Sequence, residues 1–365
     1  MFRLASRAFR VLAIESSADD TCAAVVDASR RVWSNVVVKQ HHLHVANGGI
    51  QPLVAMLAHQ RNMPAAVKQA LTDANLDIAD IDGIAFTRGP GLSGCLSVAC
   101  NAAKTLAAVH NKPLVGVHHM QAHALTVHLT MPSPPPFPCL TLLVSGGHTM
   151  IVLATSLVDF RILATTADKS IGSTIDRVVT ILNIPWSELG PGPGLEAYCA
   201  EPVPDEEGPS YEPPMPMPGK LAFSYSGLHS WLERTVHAAG GIENVVNKRA
   251  LARAFQNAAF AHLEAKLLLA LKWCKNNDHD VHHVVMSGGV ASNQLLRQRL
   301  KTCLSRFDSM ELVFPEPALC TDNAVMIAWA SMHRFLAKDH DSYEIHPLPG
   351  WNIEDIQSHQ SRPPN

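Results

Sequence analysis

Apolar positions fall into the same rhythm twice along the chain. Short apolar runs at Val11–Ser16 and Cys22–Asp27 flank a polar turn, and Arg31–Lys39 follows. Such spacing predicts three strands in a meander. Helix-period segments at Pro52–Ala74 and Ser93–His110 then alternate with strand-like runs at Ile81–Thr87 and Pro113–Val117. The second cycle opens with three short runs, Cys139–Val144, Thr149–Ala154 and Phe160–Thr165. Helical patterns follow over Ser173–Leu182 and Ala250–Asn276, then a strand at Val281–Met286. A helix at Asn293–Arg306, a strand at Glu311–Phe314 and a helix at Asn323–Ala337 complete it. Each cycle predicts a mixed sheet covered by helices, so the chain reads as a duplicated α/β unit: two lobes with a cleft between them. Ligands in such folds sit at the carboxyl ends of strands, where Gly-rich turns open.

Proline punctuates this pattern. The run at 132–138 (PSPPPFP) reads as a stiff linker between an N-terminal lobe, 11–131, and a C-terminal lobe, 139–348. The last helix, 323–337, is expected to pack back on the N-terminal lobe. Glu201–Gly219, rich in proline and acid, reads as a surface loop, and 349–365 as a flexible tail. Residues 1–10 hold Arg3, Arg7 and Arg10 and no acid before Glu15. That is the composition of a mitochondrial presequence, against the alternative of a disordered start.

Composition narrows the classes. With 365 residues, 47% hydrophobic and 17% charged, the chain is long enough for sizeable cores. A net charge of −3 supplies no global basic field, so a nucleic-acid partner would need a local patch. No apolar run approaches the roughly 18 residues of a membrane span. Eight scattered cysteines without a CxxC pair read as buried free thiols.

Four turns carry candidate chemistry: Glu15–Thr21 (ESSADDT), Thr87–Gly94 (TRGPGLSG), Ser145–Thr149 (SGGHT) and Ser287–Asn293 (SGGVASN). Glycine lets a backbone approach a phosphate, and amides at a helix start favour an anion. Two Ser-Gly-Gly turns, each directly after an apolar run, point to a nucleotide. In the fourth turn, Ser292 and Asn293 either cap the following helix or bond a sugar or base. In Val117–His123 (VHHMQAH), a helix would place His119 and His123 one turn apart, which suits two imidazoles on one metal. Met120 stands where the peptidase pattern HExxH needs Glu, so the base of that chemistry is missing. His118 and His128 read as structural or surface residues. Asp322 is either the N-cap of the last helix or a third, oxygen ligand that leaves open positions for substrate. Asp176 is either a solvated acid early on a helix or a ribose ligand. Gly190–Glu196 (GPGPGLE) reads as a rigid turn able to underlie a nucleoside, and Phe223–Leu228 (FSYSGL) as a packing strand and turn.

The segments IESSADDT, GGIQP, RGPGLSG, HHMQAHA, LLVSGGHT, GPGPGLE, FSYSGL, MSGGVASN and CTDNAVMIAW occur in that order over about Val11 to Ala337. Together they resemble the universal tRNA threonylcarbamoyladenosine transferase family, once labelled glycoprotease, and its stand-alone mitochondrial branch in particular. The resemblance implies an actin-like ATPase (ASKHA) fold with duplicated RNase H-like mixed sheets. It implies transfer of threonylcarbamoyl from threonylcarbamoyl-AMP, made by a separate synthase, to the N6 amine of the adenosine beside the anticodon in tRNAs reading ANN codons. It implies that His119, His123 and Asp322 hold one divalent metal ion per subunit, iron or zinc. Leu143, Val144, Ser145, Gly146, Gly147, Asp176, Gly192, Glu196, Ser292 and Asn293 would hold the adenylate, and Asp19 and Asp20 would act at its phosphate end. A homodimer in the mitochondrial matrix is the expected setting. Leu53, Ser173 and Arg177 depart from the family pattern, as does the proline-rich loop.

Three rival readings share the fold or the old label. A metalloprotease leaves the nucleotide turns unexplained, and a small-molecule kinase has no use for the metal triad. An inactive scaffold paralogue would lose metal ligands that this chain keeps. For the tRNA surface, the clusters Lys248, Arg249, Arg253 and Arg297, Arg299, Lys301, Arg306 are either solvated basic faces or phosphate contacts.

Overall fold

A computed structural model describes residues 7–45, 49–187, 190–202 and 210–359. The chain divides into two compact units. The first comprises the chain up to Pro134, Leu157–Asp159, and everything from Asp322 onward; the second comprises the remainder to Thr321.

The first unit starts with β1 (Arg10–Glu15), β2 (Thr21–Asp27) and β3 (Val32–Val38), followed by the short α1 (His41–Val45). Next come α2 (Pro52–Ala74), β4 (Gly83–Gly89), α3 (Ser93–Val109), β5 (Leu114–His118) and α4 (His119–Thr130). The sheet order is β3-β2-β1-β4-β5. The three meander strands pair antiparallel, while β4 and β5 run parallel to β1. Ile14, Ile84 and Phe86 face Met63, Ala66 and Ala70 of α2 and Ala99 and Ala103 of α3, all buried. Alanine on both helices lets their backbones approach the sheet closely. Each large apolar side chain removed from water there contributes roughly 1.5–3 kcal/mol.

In the second unit, β6 (Cys139–Val144), β7 (Thr149–Ala154) and β8 (Phe160–Thr165) repeat the meander. They lead to α5 (Ile171–Ile181), α6 (Pro191–Ala200), α7 (Ser226–Ala238), α8 (Lys248–Asn276), β9 (His283–Ser287), α9 (Gln294–Leu304) and β10 (Glu311–Val313). Its order, β10-β9-β6-β7-β8, reproduces that of the first sheet read from the other edge. The duplication read from the sequence is therefore real at the level of strand order and direction.

The final helix, α10 (Ala324–Leu336), belongs to the first unit, where it packs on β1, β2 and α4. A Cβ at Gly83 would lie 2.6 Å from the Phe335 ring, while its neighbour Ile84 points into the α2/α3 core. Adjacent strand residues face opposite sides, so α10 covers the second face of this sheet. Burial on both faces explains why its strands read as continuous apolar runs rather than alternating ones.

Several expectations are corrected. The second unit ends at Thr321 rather than 348, because α10 and all that follows pack on the first. The expected flexible tail holds Trp351, Ile353 and Ile356 buried; its last part, 360–365, lies outside the described residues. Within the expected presequence, residues 1–6 lie outside the described residues, but Arg10 opens β1 and Arg7 pairs with Asp82 at 2.8 Å. GPGPGLE forms the first turns of α6, with Pro191 at its start, where a missing N–H costs nothing. Phe223 makes one bridge to Thr166, and α7 begins at Ser226. All eight cysteines are buried and free. Among the described residues no helix is long and apolar enough to cross a membrane.

Candidate metal centre and nucleotide turns

Strand β5 runs straight into α4, so His119 is the first residue of that helix and His123 stands one turn on. Asp322 approaches both from the segment before α10: its Oδ1 lies 3.0 Å from His123 Nε2 and 3.5 Å from His119 Nε2. One ligand atom from each of the three residues fits within a 4.8 Å group. Asn323, not Asp322, caps α10, its Oδ1 accepting the Met326 N–H at 2.9 Å. The two readings left open for Asp322 are thus separated by one residue, and its carboxylate is directed at the imidazoles.

Behind His119 stands a buried carboxylate. Glu15, last residue of β1, places Oε2 3.3 Å from His119 Nδ1 and also accepts from Thr87 Oγ1–H and the Ser17 N–H. A carboxylate can only accept, so Nδ1 carries a proton toward Glu15, and Nε2 is the atom turned toward Asp322. That is the arrangement by which an outer carboxylate orients a metal-ligating imidazole. Two imidazoles and one carboxylate on convergent atoms, with one imidazole so oriented, fit a divalent ion such as zinc or iron.

The two carboxylates favour the charged, doubly protonated His119 ring, whose Nε2 proton a bound cation would displace. Burial depresses the His119 imidazolium, but Asp322 and Glu15 more than offset this, pushing its pKa up to about 10. Burial raises the Asp322 and Glu15 carboxyls, and His119 overcomes it in both, leaving Asp322 well below its usual range and Glu15 below its own. Asp19 and Asp20, in the turn after β1, go the other way. Burial, then Asp322, lifts Asp19 to about 6; burial, then Asp19, lifts Asp20 to about 8. The cluster of Glu15, Asp19, Asp20 and Asp322 therefore has an excess of acids, which a bound cation would relieve.

In the second unit the turn 145–147 joins β6 to β7. Leu143 and Val144 are buried, so only their backbones are available to a ligand, whereas Gly146 and Gly147 are exposed and an added Cβ would meet nothing within 4 Å. Ser170 caps α5 and bonds the Gly146 carbonyl, and a Cβ at Gly172 would come within 2.4 Å of the Ser145 oxygen. Free turn amides thus adjoin the N-terminus of α5, the geometry that receives an anion. Asp176 lies half-buried farther along α5. Gly288, at φ +101°, sits where a Cβ would lie 2.3 Å from the Val144 oxygen, which brings the second Ser-Gly-Gly turn against the first. Ser292 closes a single 3₁₀ turn, and Asn293 caps α9. Glu196 of α6 also serves that helix, its Oε1 accepting from the Gln294 N–H at 2.7 Å. Gly192 lies one turn before Glu196, open to solvent on one side.

The basic clusters are largely engaged. Arg249 pairs with Glu201 and stacks on Tyr198, while Arg253 donates to the Cys199 carbonyl. Arg299 pairs with Glu264 at 2.6 Å, and Arg297 donates to the Ala291 carbonyl. Lys301 and Arg306 remain exposed. Sequence reasoning missed Glu15 and Ser17 as partners of His119, because 104 and 102 positions separate them in the chain.

Comparison with known proteins bears directly on these features. The sequence profile of tRNA N6-adenosine threonylcarbamoyltransferase matches residues 31–329. A mitochondrial tRNA N6-adenosine threonylcarbamoyltransferase of Schizosaccharomyces pombe is 38% identical, over 97% of this chain and 89% of that protein. The probable mitochondrial enzyme of Arabidopsis thaliana is 37% identical, over 94% and 72%. The Listeria welshimeri enzyme is 37% identical, over 95% and 97%. Among solved structures, T. kodakarensis HypF superposes with a TM-score of 0.57 at 13% identity, over 91% of this chain and 48% of that one. Component A of the Acidaminococcus fermentans (R)-2-hydroxyglutaryl-CoA dehydratase gives 0.53 at 12%, over 89% and 98%. These likenesses carry the fold, which is of the actin-like ATPase type that the resemblance implied. Matched over most of its length and retaining the triad and both Ser-Gly-Gly turns, the chain belongs to the tRNA N6-adenosine threonylcarbamoyltransferase family.

Proposed function

We propose that the chain transfers the threonylcarbamoyl group of threonylcarbamoyl-AMP to the N6 amine of the adenosine beside the anticodon in ANN-decoding tRNAs, with AMP leaving. The observation that carries this reading is the convergence of His119, His123 and Asp322 on the frame of a nucleotide-binding fold. A small-molecule kinase of that fold has no use for such a triad.

His119, His123 and Asp322 would hold an iron or zinc ion. When bound, such an ion supplies Lewis acidity toward a carbonyl or phosphate oxygen. Glu15 keeps the His119 proton on Nδ1. In the second unit, the Gly146 and Gly147 amides and the start of α5 receive the adenylate phosphate, and Asp176 and Glu196 offer carboxylates to ribose hydroxyls. Asp19 and Asp20 titrate nearer neutrality than ordinary carboxyls, which suits groups that accept or return a proton. Holding amine and adenylate together supplies proximity.

The test uses labelled threonylcarbamoyl-AMP and unmodified ANN-decoding tRNA. Label must appear on that adenosine, and a transcript with guanosine there must stay unlabelled. Label on protein, or none with either transcript, would overturn the reading.

A homodimer is proposed on the apolar groove between α2 and α3, about 910 Å³, lined by Met56, Val67, Leu71, Val98 and Leu106. Leu53 and Leu57 are exposed on α2. Sedimentation should show a dimer that Val67→Glu, within the groove, dissociates; a monomeric wild type would refute it. Mitochondrial residence is proposed from the S. pombe and Arabidopsis relatives. A fluorescent fusion of the full chain should colocalise with a matrix marker, and cytosolic signal would count against it.

A further inference from the structure

His118 was read from the sequence as structural or surface, yet it joins two parts of the first unit. Its Nδ1 accepts from the Met120 and Gln121 N–H groups at 3.2 and 3.4 Å, so it is the N-cap of α4, the helix that starts at His119. Its Nε2–H donates to the Trp351 carbonyl at 3.1 Å, and the two rings meet edge to face at 4.9 Å. One buried imidazole thus holds the start of the ligand-bearing helix to the C-terminal segment.

That segment is strapped along the first unit by its backbone. Arg88 Nε donates to the His346 carbonyl at 3.0 Å, and the Leu348 N–H to the Arg88 carbonyl at 2.7 Å. The Pro349 carbonyl accepts from the Gly91 N–H at 3.2 Å. A Cβ on Gly89 would lie 1.9 Å from the Leu348 oxygen. Gly89, the first glycine of the RGPGLSG turn, is therefore needed for the strap to approach, which is a different use from cradling a phosphate. The next residues of that turn reach the other side of the site: the Leu92 N–H donates to the Ser17 carbonyl at 2.8 Å, and the Ser17 hydroxyl lies 3.3 Å from His119 Nδ1.

We infer that His118 is a positioning residue coupling the C-terminal strap, Ile345–Trp351, to the metal ligands of α4, so that strap docking and divalent-ion binding reinforce each other. The inference rests on the reading of His119, His123 and Asp322 as a metal site. Because the coupling is thermodynamic it must be reciprocal: a loosened strap weakens the ion, and the ion tightens the strap.

The test titrates the chelator-treated full chain with Co²⁺, following its visible absorption. His118→Asn keeps an N-cap oxygen for α4 but is too short to reach the Trp351 carbonyl. Gly89→Ala displaces the strap at Leu348 while keeping the His118 side chain, beside whose backbone Gly89 stands in the β4/β5 register. Both should weaken Co²⁺ binding tenfold to a hundredfold, the range for lost outer-shell support. In wild type, Co²⁺ should slow amide hydrogen exchange at Leu348 and Trp351, and this protection should vanish in His118→Asn. Co²⁺ affinity within twofold of wild type in a folded His118→Asn, or wild-type strap exchange indifferent to Co²⁺, would overturn the inference even if Gly89→Ala fails to fold. His123→Ala separates the two levels. If it binds Co²⁺ as wild type does, the metal reading itself falls and the inference with it; if it alone loses the ion, only the strap coupling is refuted.

Discussion

Replacing Glu15 by glutamine changes one atom type at a fully buried site. Three donors converge on this carboxylate, from Ser17, Thr87 and His119, and every one needs an acceptor. Glutamine offers one carbonyl oxygen and one NH₂, so either the Ser17 N–H loses its acceptor or both Thr87 and His119 must turn from donors into acceptors. Leaving such a group unsatisfied costs about 1–3 kcal/mol. In a unit of this size, each kcal/mol lowers the melting temperature by roughly 2–4 °C. If the NH₂ turns toward His119, Nδ1 must give up its proton, leaving the ring's proton on Nε2, the atom that faces Asp322. Outer-shell losses of this kind cost about 10–100-fold in metal affinity. Calorimetric melting and Co²⁺ titration of Glu15→Gln should therefore both shift. A variant that melts and binds like wild type would refute the assignment of Glu15 as the orienting carboxylate.

Neighbouring residues before α10 should separate cleanly. Asn323→Ala should destabilise by about 1 kcal/mol through the lost cap while keeping metal affinity, whereas Asp322→Ala should abolish metal binding with the helix intact; urea melts and metal analysis of the pair check this. His262 gives a pH signature in the second unit. Burial, helped by Lys266 and opposed by Asp168, lowers its pKa from 6.5 to about 4, and its Nε2 accepts the Ser224 N–H at 3.2 Å. Between these values the unfolded chain binds the extra proton, so the stabilisation is complete above pH 6.5 and is lost as pH falls toward 4. It amounts to at most about 3 kcal/mol. The stability gap between wild type and His262→Gln in urea should narrow over that window; a gap that widens on acidification would contradict the assignment.

The fold was legible where side-chain periodicity reports it. Both meanders and the alternating helices and strands after them follow from apolar runs and their spacing. The candidate metal site was legible where its residues are local in sequence, as His119 and His123 are at one helical turn. Elements fixed by backbone contacts or by tertiary context were not. The strap around Leu348 has no periodic pattern, since its hold comes from main-chain bonds to Arg88 and Gly91. GPGPGLE reads as a turn by composition, yet packing against α5 draws it into α6. Glu15 is one acid among several in its turn, and only the fold brings it to His119. A residue placed directly before a helix start, as His118 is, was the one local signal available and unused.

The most direct test of the account compares wild type with His123→Ala in one preparation, measuring bound iron or zinc by elemental analysis alongside transfer of labelled threonylcarbamoyl to tRNA. The account predicts one ion per wild-type chain with label on the anticodon-loop adenosine, and loss of both in a variant that still folds. Full transfer by a metal-free His123→Ala chain would contradict it.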